Sequence, residues 1–319
     1  MRSLRPFRLL AHAGLLLSAA CSPSGPAGLT ATPAGTMPPV LIETSGLAAS
    51  RRADDLLWAH NDSGGQPVLY AVDLTGRLRG TLRLTGAVNT DWEDIAAFEL
   101  DGRAWLLAAD TGDNTGRRHD CSLLIVPEPD PATLSPTHEL ATPVAWRVPV
   151  RFPDGPHDCE AVAVDAPGGL VYLVTKRTVP AWLYSLPLRP ASGELATLTA
   201  TRIAALRQIA PEREHPSGVQ LPAFVYHEQA TGMDFAPDGS AAAVLTYGCG
   251  WLFPRHAGQT WVAALAGTPV RIGFTGLAQA EGVCFSRDSR TLYLTSEGKN
   301  APLLRCELPA APAAQPTAH

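Results

Sequence analysis

The chain has 319 residues, a formal net charge of −5, and only 17% charged against 45% hydrophobic residues. That length makes one large domain or two smaller ones, and the mildly acidic balance argues against nucleic acid as a partner. With 28 glycines and 29 prolines and no long amphipathic helical stretch, the composition fits an all-β chain full of turns.

The amino terminus reads as a targeting signal. Arg2, Arg5 and Arg8 form a basic region, residues 9–17 are apolar, and Ser18-Ala19-Ala20 is a small-residue cleavage site before Cys21. This arrangement resembles a bacterial lipobox, with Ser18 where leucine is usual. The resemblance implies lipidation of Cys21, export to the cell envelope, and contact with membrane through that anchor alone. Residues 1–20 are thus expected to be a signal peptide. Residues 21–38 are expected to be the lipidated cysteine and a flexible Pro/Gly/Ala/Thr tether, 39–308 the folded domain, and 309–319 a disordered tail. Five further cysteines remain, an odd number without CxxC or zinc spacing; Cys284 and Cys306 sit in apolar strand contexts and read as buried small hydrophobes.

Five segments share one plan: a polar corner, an apolar strand, a turn, and a second apolar strand ending in polar residues. They begin at Ser45, Glu93, Glu160, Thr231 and Glu281, and Asp101-Gly102, Pro167-Gly168-Gly169 and Asp238-Gly239 supply hairpin turns. The intervals of 48, 67, 71 and 50 residues accommodate four-stranded propeller blades of about 40–50 residues each. Third and fourth strands are expected at 67–72 with 81–84, 122–126 with 143–150, 182–186 with 200–206, and 261–265 with 270–274. The last repeat has one more strand, 302–308, and residues 39–43 are expected to complete it and close the ring. The fold expected is an all-β propeller of four-stranded blades, five in number, or six if one is cryptic. A β-sandwich is the alternative, but it does not explain the recurring polar corner.

In a propeller the innermost strand of each blade starts on the face to which the loop between second and third strands returns. Asp91, Glu93, Glu160 and Glu281, with Asn61, Asp62, Asp110, Asp113, Asn114, Arg117, Lys176, Arg177, Tyr247 and Lys299, are therefore expected around one mouth of the channel. Lys176 and Lys299 are the two lysines among 25 basic residues, so their coincidence at one mouth is suggestive.

Together SGLAAS, HNDSGG, DWEDIA, GDN followed by arginine, and EGV resemble a group of bacterial exported β-propeller proteins, over residues 42 to 308. More distantly, the Glu-Gly or Glu-Ala corner is similar to phytase-like, esterase-like and gluconolactonase-like propellers. That likeness implies calcium or another divalent ion held by acids at the mouth. Glu93, Glu160 and Glu281 match the inner-strand glutamate, whereas Ser45 and Thr231 depart from it.

Asp110, Asp113 and Asn114 offer hard oxygens in a glycine-containing loop near Asp91, a donor set suited to calcium. The competing reading is that these residues cap turns. Glu93, Glu160, Glu281 and His157 are the candidate acids and bases, although a loop histidine is more often structural. Asn61, Asp62, Arg117, Lys176, Arg177, Tyr247 and Lys299 are candidates to hold a small anionic or carbohydrate ligand. NDSGG lacks the chain order of a trypsin-like triad, ADTGD occurs once only, and no GxSxG elbow exists. Two functions remain: a metal-dependent hydrolase of a phosphoester, ester or lactone, or a binding propeller recognising a carbohydrate, an anionic ligand or a protein. A monomer is expected in either case.

Overall fold

The computed structural model describes residues 28–190, 197–209 and 227–309, and these form five small, mainly antiparallel sheets arranged as the blades of a propeller. The expected signal peptide, Cys21 and the tail from residue 310 lie outside the described residues. No helix among the described residues is long and apolar enough to cross a membrane.

Each repeat supplies the inner two strands of a blade: Thr44–Ala49 with Leu56–Asn61, Trp92–Leu100 with Arg103–Asp110, Cys159–Asp165 with Leu170–Thr175, Ala230–Phe235 with Ala241–Thr246, and Ala280–Phe285 with Thr291–Ser296. Every innermost strand packs against the next, and the fifth against the first, so the ring is closed. The five apolar clusters lie between neighbouring blades rather than within them. Trp105, Leu107 and Ile125 of blade 2 meet Leu173 and Tyr184 of blade 3, and Leu47, Leu57 and Ala59 of blade 1 meet Cys284 and Leu303 of blade 5. A blade therefore cannot bury its faces alone, which is the usual reason that repeat folds are cooperative.

Closure differs from the expected 39–43. The strand that completes blade 5 is Thr32–Thr36, antiparallel to Pro302–Glu307, inside the stretch expected to be a tether. Low apolar content misled there, because an edge strand needs only its backbone, and Pro33 is tolerated at an edge. Residues 37–43 instead form a turn in which the Leu41 amide donates to the Pro38 carbonyl, burying Met37 and Leu41.

A second difference is an exchange of edge strands. Glu139–Pro143, between the third and fourth strands of blade 2, pairs in parallel with Leu78–Thr85 of blade 1. Leu198–Thr199 of blade 3 does the same to Trp146–Arg151 of blade 2, and Leu29–Thr30 to Val270–Gly273 of blade 4. In blade 4 the equivalent segment, Trp261–Leu265, is a short helix capped by Thr260 and not the expected third strand; that strand is Gly250–Pro254. The segment WVAAL is apolar throughout, and so short a run has no period that separates helix from strand.

At one end of every innermost strand the pairing skips. The register breaks between Thr44 and Leu47, Trp92 and Asp94, Cys159 and Ala161, Ala230 and Gly232, and Ala280 and Gly282. These are β-bulges, and a bulge suspends strict alternation and re-aims a side chain. Just below the bulges Asp94, fully buried, accepts from the amides of Ile95 and Val162 at 2.8 Å and Met233 at 3.2 Å. One carboxylate thus ties blades 2, 3 and 4 across the channel. Glycine at 46, 232 and 282 lets neighbouring innermost strands come this close: a Cβ on Gly46 would lie 2.9 Å from the Ile95 amide nitrogen, and one on Gly232 2.8 Å from the Glu281 carbonyl oxygen.

Asp94→Ala orphans these buried amides, and the expected loss of stability is roughly 3–5 kcal/mol by urea denaturation. A loss below about 1 kcal/mol would show that Asp94 is not the strut described.

Candidate functional site

The bulges fix three stacked sets of side chains at the mouth. The bulged residues are Ser45, Glu93, Glu160, Thr231 and Glu281, all buried. Two residues earlier stand Glu43, Asp91, Asp158, Gln229 and Gln279; just past the end of the second strand stand Asp62, Thr111, Lys176, Tyr247 and Glu297. Most of these line a cavity of about 300 Å³, with Asn114 and Arg177 at its edge.

Ser45 and Thr231 break the glutamate pattern for a structural reason. Ser45 Oγ donates to the Glu93 carbonyl at 2.8 Å, and Thr231 Oγ1 donates to the Ala280 carbonyl at 2.6 Å. Each hydroxyl fastens its blade to the next, as Thr111 Oγ1 does with the Cys159 carbonyl. The three glutamates are left to face the channel.

Those glutamates gather two overlapping groups of oxygens. In one, ligand atoms of Asp62, Asp91 and Glu93 lie within 4.8 Å of one another; in the other, Glu93, Asp158 and Glu160 do. Glu93 belongs to both. Gly112 passes directly over it, so that a Cβ there would lie 2.0 Å from Glu93 Oε1 and 2.6 Å from the Asp91 carboxyl carbon. Several oxygens have no hydrogen-bond donor: Asp62 Oδ1, Glu160 Oε1 and Glu281 Oε2.

The cations are engaged. Lys176 Nζ meets Glu160 Oε2 and lies 3.8 Å from Glu281 Oε1, with its ammonium 5.1 Å from the Tyr247 ring centroid. Tyr247 also donates to Glu281 Oε1 at 2.7 Å. Arg177 pairs with Asp158 at 2.5 Å and reaches Asn114. The lining has more carboxylates than cations, and its protonation reflects that. Burial raises Asp62 to about 7, with Asp91 and Glu297 adding repulsion. Burial, opposed by Lys176, raises Glu160 to about 8, and burial with Glu297 raises Glu281 to about 9. Burial and the neighbouring Glu160 hold Glu93 well above the ordinary carboxylate range. Burial alone would depress Lys176, but Glu160 and Glu281 carry it above its usual value.

Other expected site residues are not in the cavity lining, although Asp110 lies beside it and accepts from the Asp91 amide at 3.1 Å. Asp113 spends its carboxylate on the amides of Arg117 and Arg118, closing a turn, and donates its own amide to Asp158. Asp110 is paired with Arg118 at 2.8 Å. The loop arginine that turns inward is thus Arg118, while Arg117 is exposed. Asn61 accepts from the amides of Ile42 and Glu43 and donates to the Val40 carbonyl, holding the entering chain. Lys299 is exposed and does not line the cavity. His157 sits apart between blades 2 and 3, against Asp154 at 3.0 Å and the Tyr184 hydroxyl at 3.0 Å, packed on Phe152. Sequence reasoning overlooked Gln229 and Gln279. Their offset of two residues before a bulged position, shared with Asp91 and Asp158, is the signal that could have found them.

No protein-family profile matches the chain, and no curated protein matches its sequence. Among solved structures it is similar to a glutaminyl cyclase from Myxococcus xanthus at 12% identity, over 88% of this chain and 98% of that one, with a TM-score of 0.49. It is also similar to a putative 6-phosphogluconolactonase from Bacteroides uniformis at 16% identity, over 83% and 68%, with a TM-score of 0.36. Raptor from Chaetomium thermophilum matches at 11% identity over 88% of this chain and 30% of that one, with a TM-score of 0.47. These likenesses concern propeller architecture and carry nothing about chemistry.

The raised carboxyls give stability a definite pH dependence. A carboxyl with a higher pKa folded than unfolded keeps its proton in the folded state after the unfolded chain has lost it. Ion-free protein should therefore lose stability as pH rises from about 6.5 to 9, through the values of Asp62, Glu160 and Glu281. His60, depressed by burial to about 4, acts in the opposite direction but only below its unfolded value near 6.5. Melting temperatures in chelator at pH 7 and pH 9 check this; a rise between them would contradict the raised carboxyls.

Proposed function

We propose that this chain is a propeller hydrolase that holds a divalent cation, calcium foremost, among the acids of its channel mouth, and that it cleaves a phosphoester, ester or lactone of a small polar molecule. The observation that carries the reading is Glu93, which is buried, aimed inward by its bulge, and shared by two groups of carboxylates close enough to hold an ion. Hard divalent ions take several oxygens of this kind, and so many acids with so few cations cost stability when left empty. Gly112 supports it, because only glycine leaves room for the carboxylates of Glu93 and Asp91 beneath the loop.

A bound divalent ion supplies a Lewis acid and an activated water. Around it Glu160 and Glu281, whose protons are held toward neutral and alkaline pH, are suited to exchange a proton with a reacting oxygen. Tyr247 and Lys176 donate toward the same space. The cavity suits a small molecule better than a protein surface, and its scarcity of apolar lining favours a polar one. We extend to this chain the lipobox reading of Cys21, so that the propeller is exported and anchored in the envelope; Cys21→Ser should then move it from membrane to soluble fractions.

Calcium should raise the melting temperature, by the equivalent of about 2.7 kcal/mol when free ion stands a hundredfold above its dissociation constant. Asp62→Asn with Asp91→Asn should abolish that gain, whereas Asp113→Ala should lower stability and leave the gain intact. Hydrolysis of an ester, lactone and phosphoester panel should be lost both in chelator and in Glu93→Gln. An unchanged melting curve with calcium and with chelator removes the cation reading; a calcium response without turnover of any panel member favours a binding propeller.

A further inference from the structure

Resting on the cation reading, we infer that the mouth holds a single divalent ion, in the Asp62, Asp91 and Glu93 group, and that Lys176 with Arg177 fills the place of a second. The two groups have the same number of carboxylates and share Glu93, so oxygen count alone does not choose between them. Charge does. In the second group the Lys176 ammonium meets Glu160 and the Arg177 guanidinium meets Asp158 at 2.5 Å, so two fixed positive charges already face the oxygens an ion would need. Among the described residues no ion pair is made to Asp62, Asp91 or Glu93; Arg118, whose charge is felt at Asp91, makes its ion pair with Asp110 at 2.8 Å.

Lys176 is built in rather than loosely attached. It is buried, lies over the Tyr247 ring, and spans Glu160 and Glu281 of blades 3 and 5. Glu160 Oε1, on a side chain 1% exposed, still has no donor and lines the cavity, so the pair is not saturated. Hydrolytic sites with two ions use the second to neutralise charge on the attacking or leaving oxygen. An ammonium at that position supplies one positive charge and protons to donate, without the affinity problem of loading a second ion. Lys176 is therefore assigned a substrate-facing role beside the ion, not only a counter-charge to Glu160.

Equilibrium dialysis of the full chain against calcium tests the assignment without a substrate. Wild type should bind one ion. Glu160→Gln, which keeps the shape of the side chain, should still bind one, with affinity changed less than about threefold. Asp62→Asn with Asp91→Asn should weaken binding by about a hundredfold or more, as expected when direct ligands are lost. Lys176→Met should bind a second ion, because Glu93 and Glu160 are then short of positive charge and Arg177 answers Asp158 alone. Two ions on wild type, loss of the ion in Glu160→Gln with retention in the double variant, or a single ion on folded Lys176→Met would each overturn the assignment alone. If Lys176→Met fails to fold, the Glu160→Gln and double-variant measurements still decide which group holds the ion. No calcium on any of them would remove the cation reading beneath it as well.

Discussion

The same irregularity, placed once in each innermost strand, governs this molecule. A regular strand sends alternate side chains into the seams on its two sides, as Ile95 and Ala97 go to blade 1 and Ala96 and Phe98 to blade 3. The bulge displaces that alternation, so that Glu93 reaches the mouth while the next residue, Asp94, lies in the channel just below. Acid at the mouth and strut beneath it are consequences of one skipped pairing. Repeated five times, it also fixes the positions two residues before the bulge, and so determines which residues can meet there at all.

Holding acids this way is costly, and the surroundings show how the cost is met. Asp94 is buried but takes three backbone amides. Asp110 takes Arg118, and Asp158 takes Arg177 and the Asp113 amide. At Asp62, Asp91, Glu93, Glu160 and Glu281 compensation runs short and the carboxyls titrate above their usual range, as burial makes Asp94 and Asp110 do despite their partners. What sets Asp62, Glu160 and Glu281 apart is a carboxylate oxygen with neither a hydrogen bond nor an ion pair, not their sequence context.

That distinction explains what could be read in advance. The inner two strands of each blade were legible because alternation, turn residues and a polar corner recur together. Glu93, Glu160 and Glu281 were legible for the same reason. The loop after the second hairpin strand was not, since Asp110, Asp113 and Asn114 look equally suited to bind metal until Arg118 and the backbone amides claim the first two. His157 was drawn to the mouth by its neighbours in sequence, but its ring turns into the seam where Asp154 and Tyr184 wait. The outer strands depend on partners from the next blade, so neither Thr32–Thr36 nor Glu139–Pro143 shows its role in its own residues.

The amino-terminal segment has a mechanical consequence. Before entering blade 1 the chain runs along two sheets in succession, parallel to the edge of blade 4 at Leu29–Thr30 and antiparallel to that of blade 5 at Thr32–Thr36. A load applied along the chain from that side meets these pairings in shear, so their rungs must fail together and not one after another. A ring hung from that end would carry its load on two sheets.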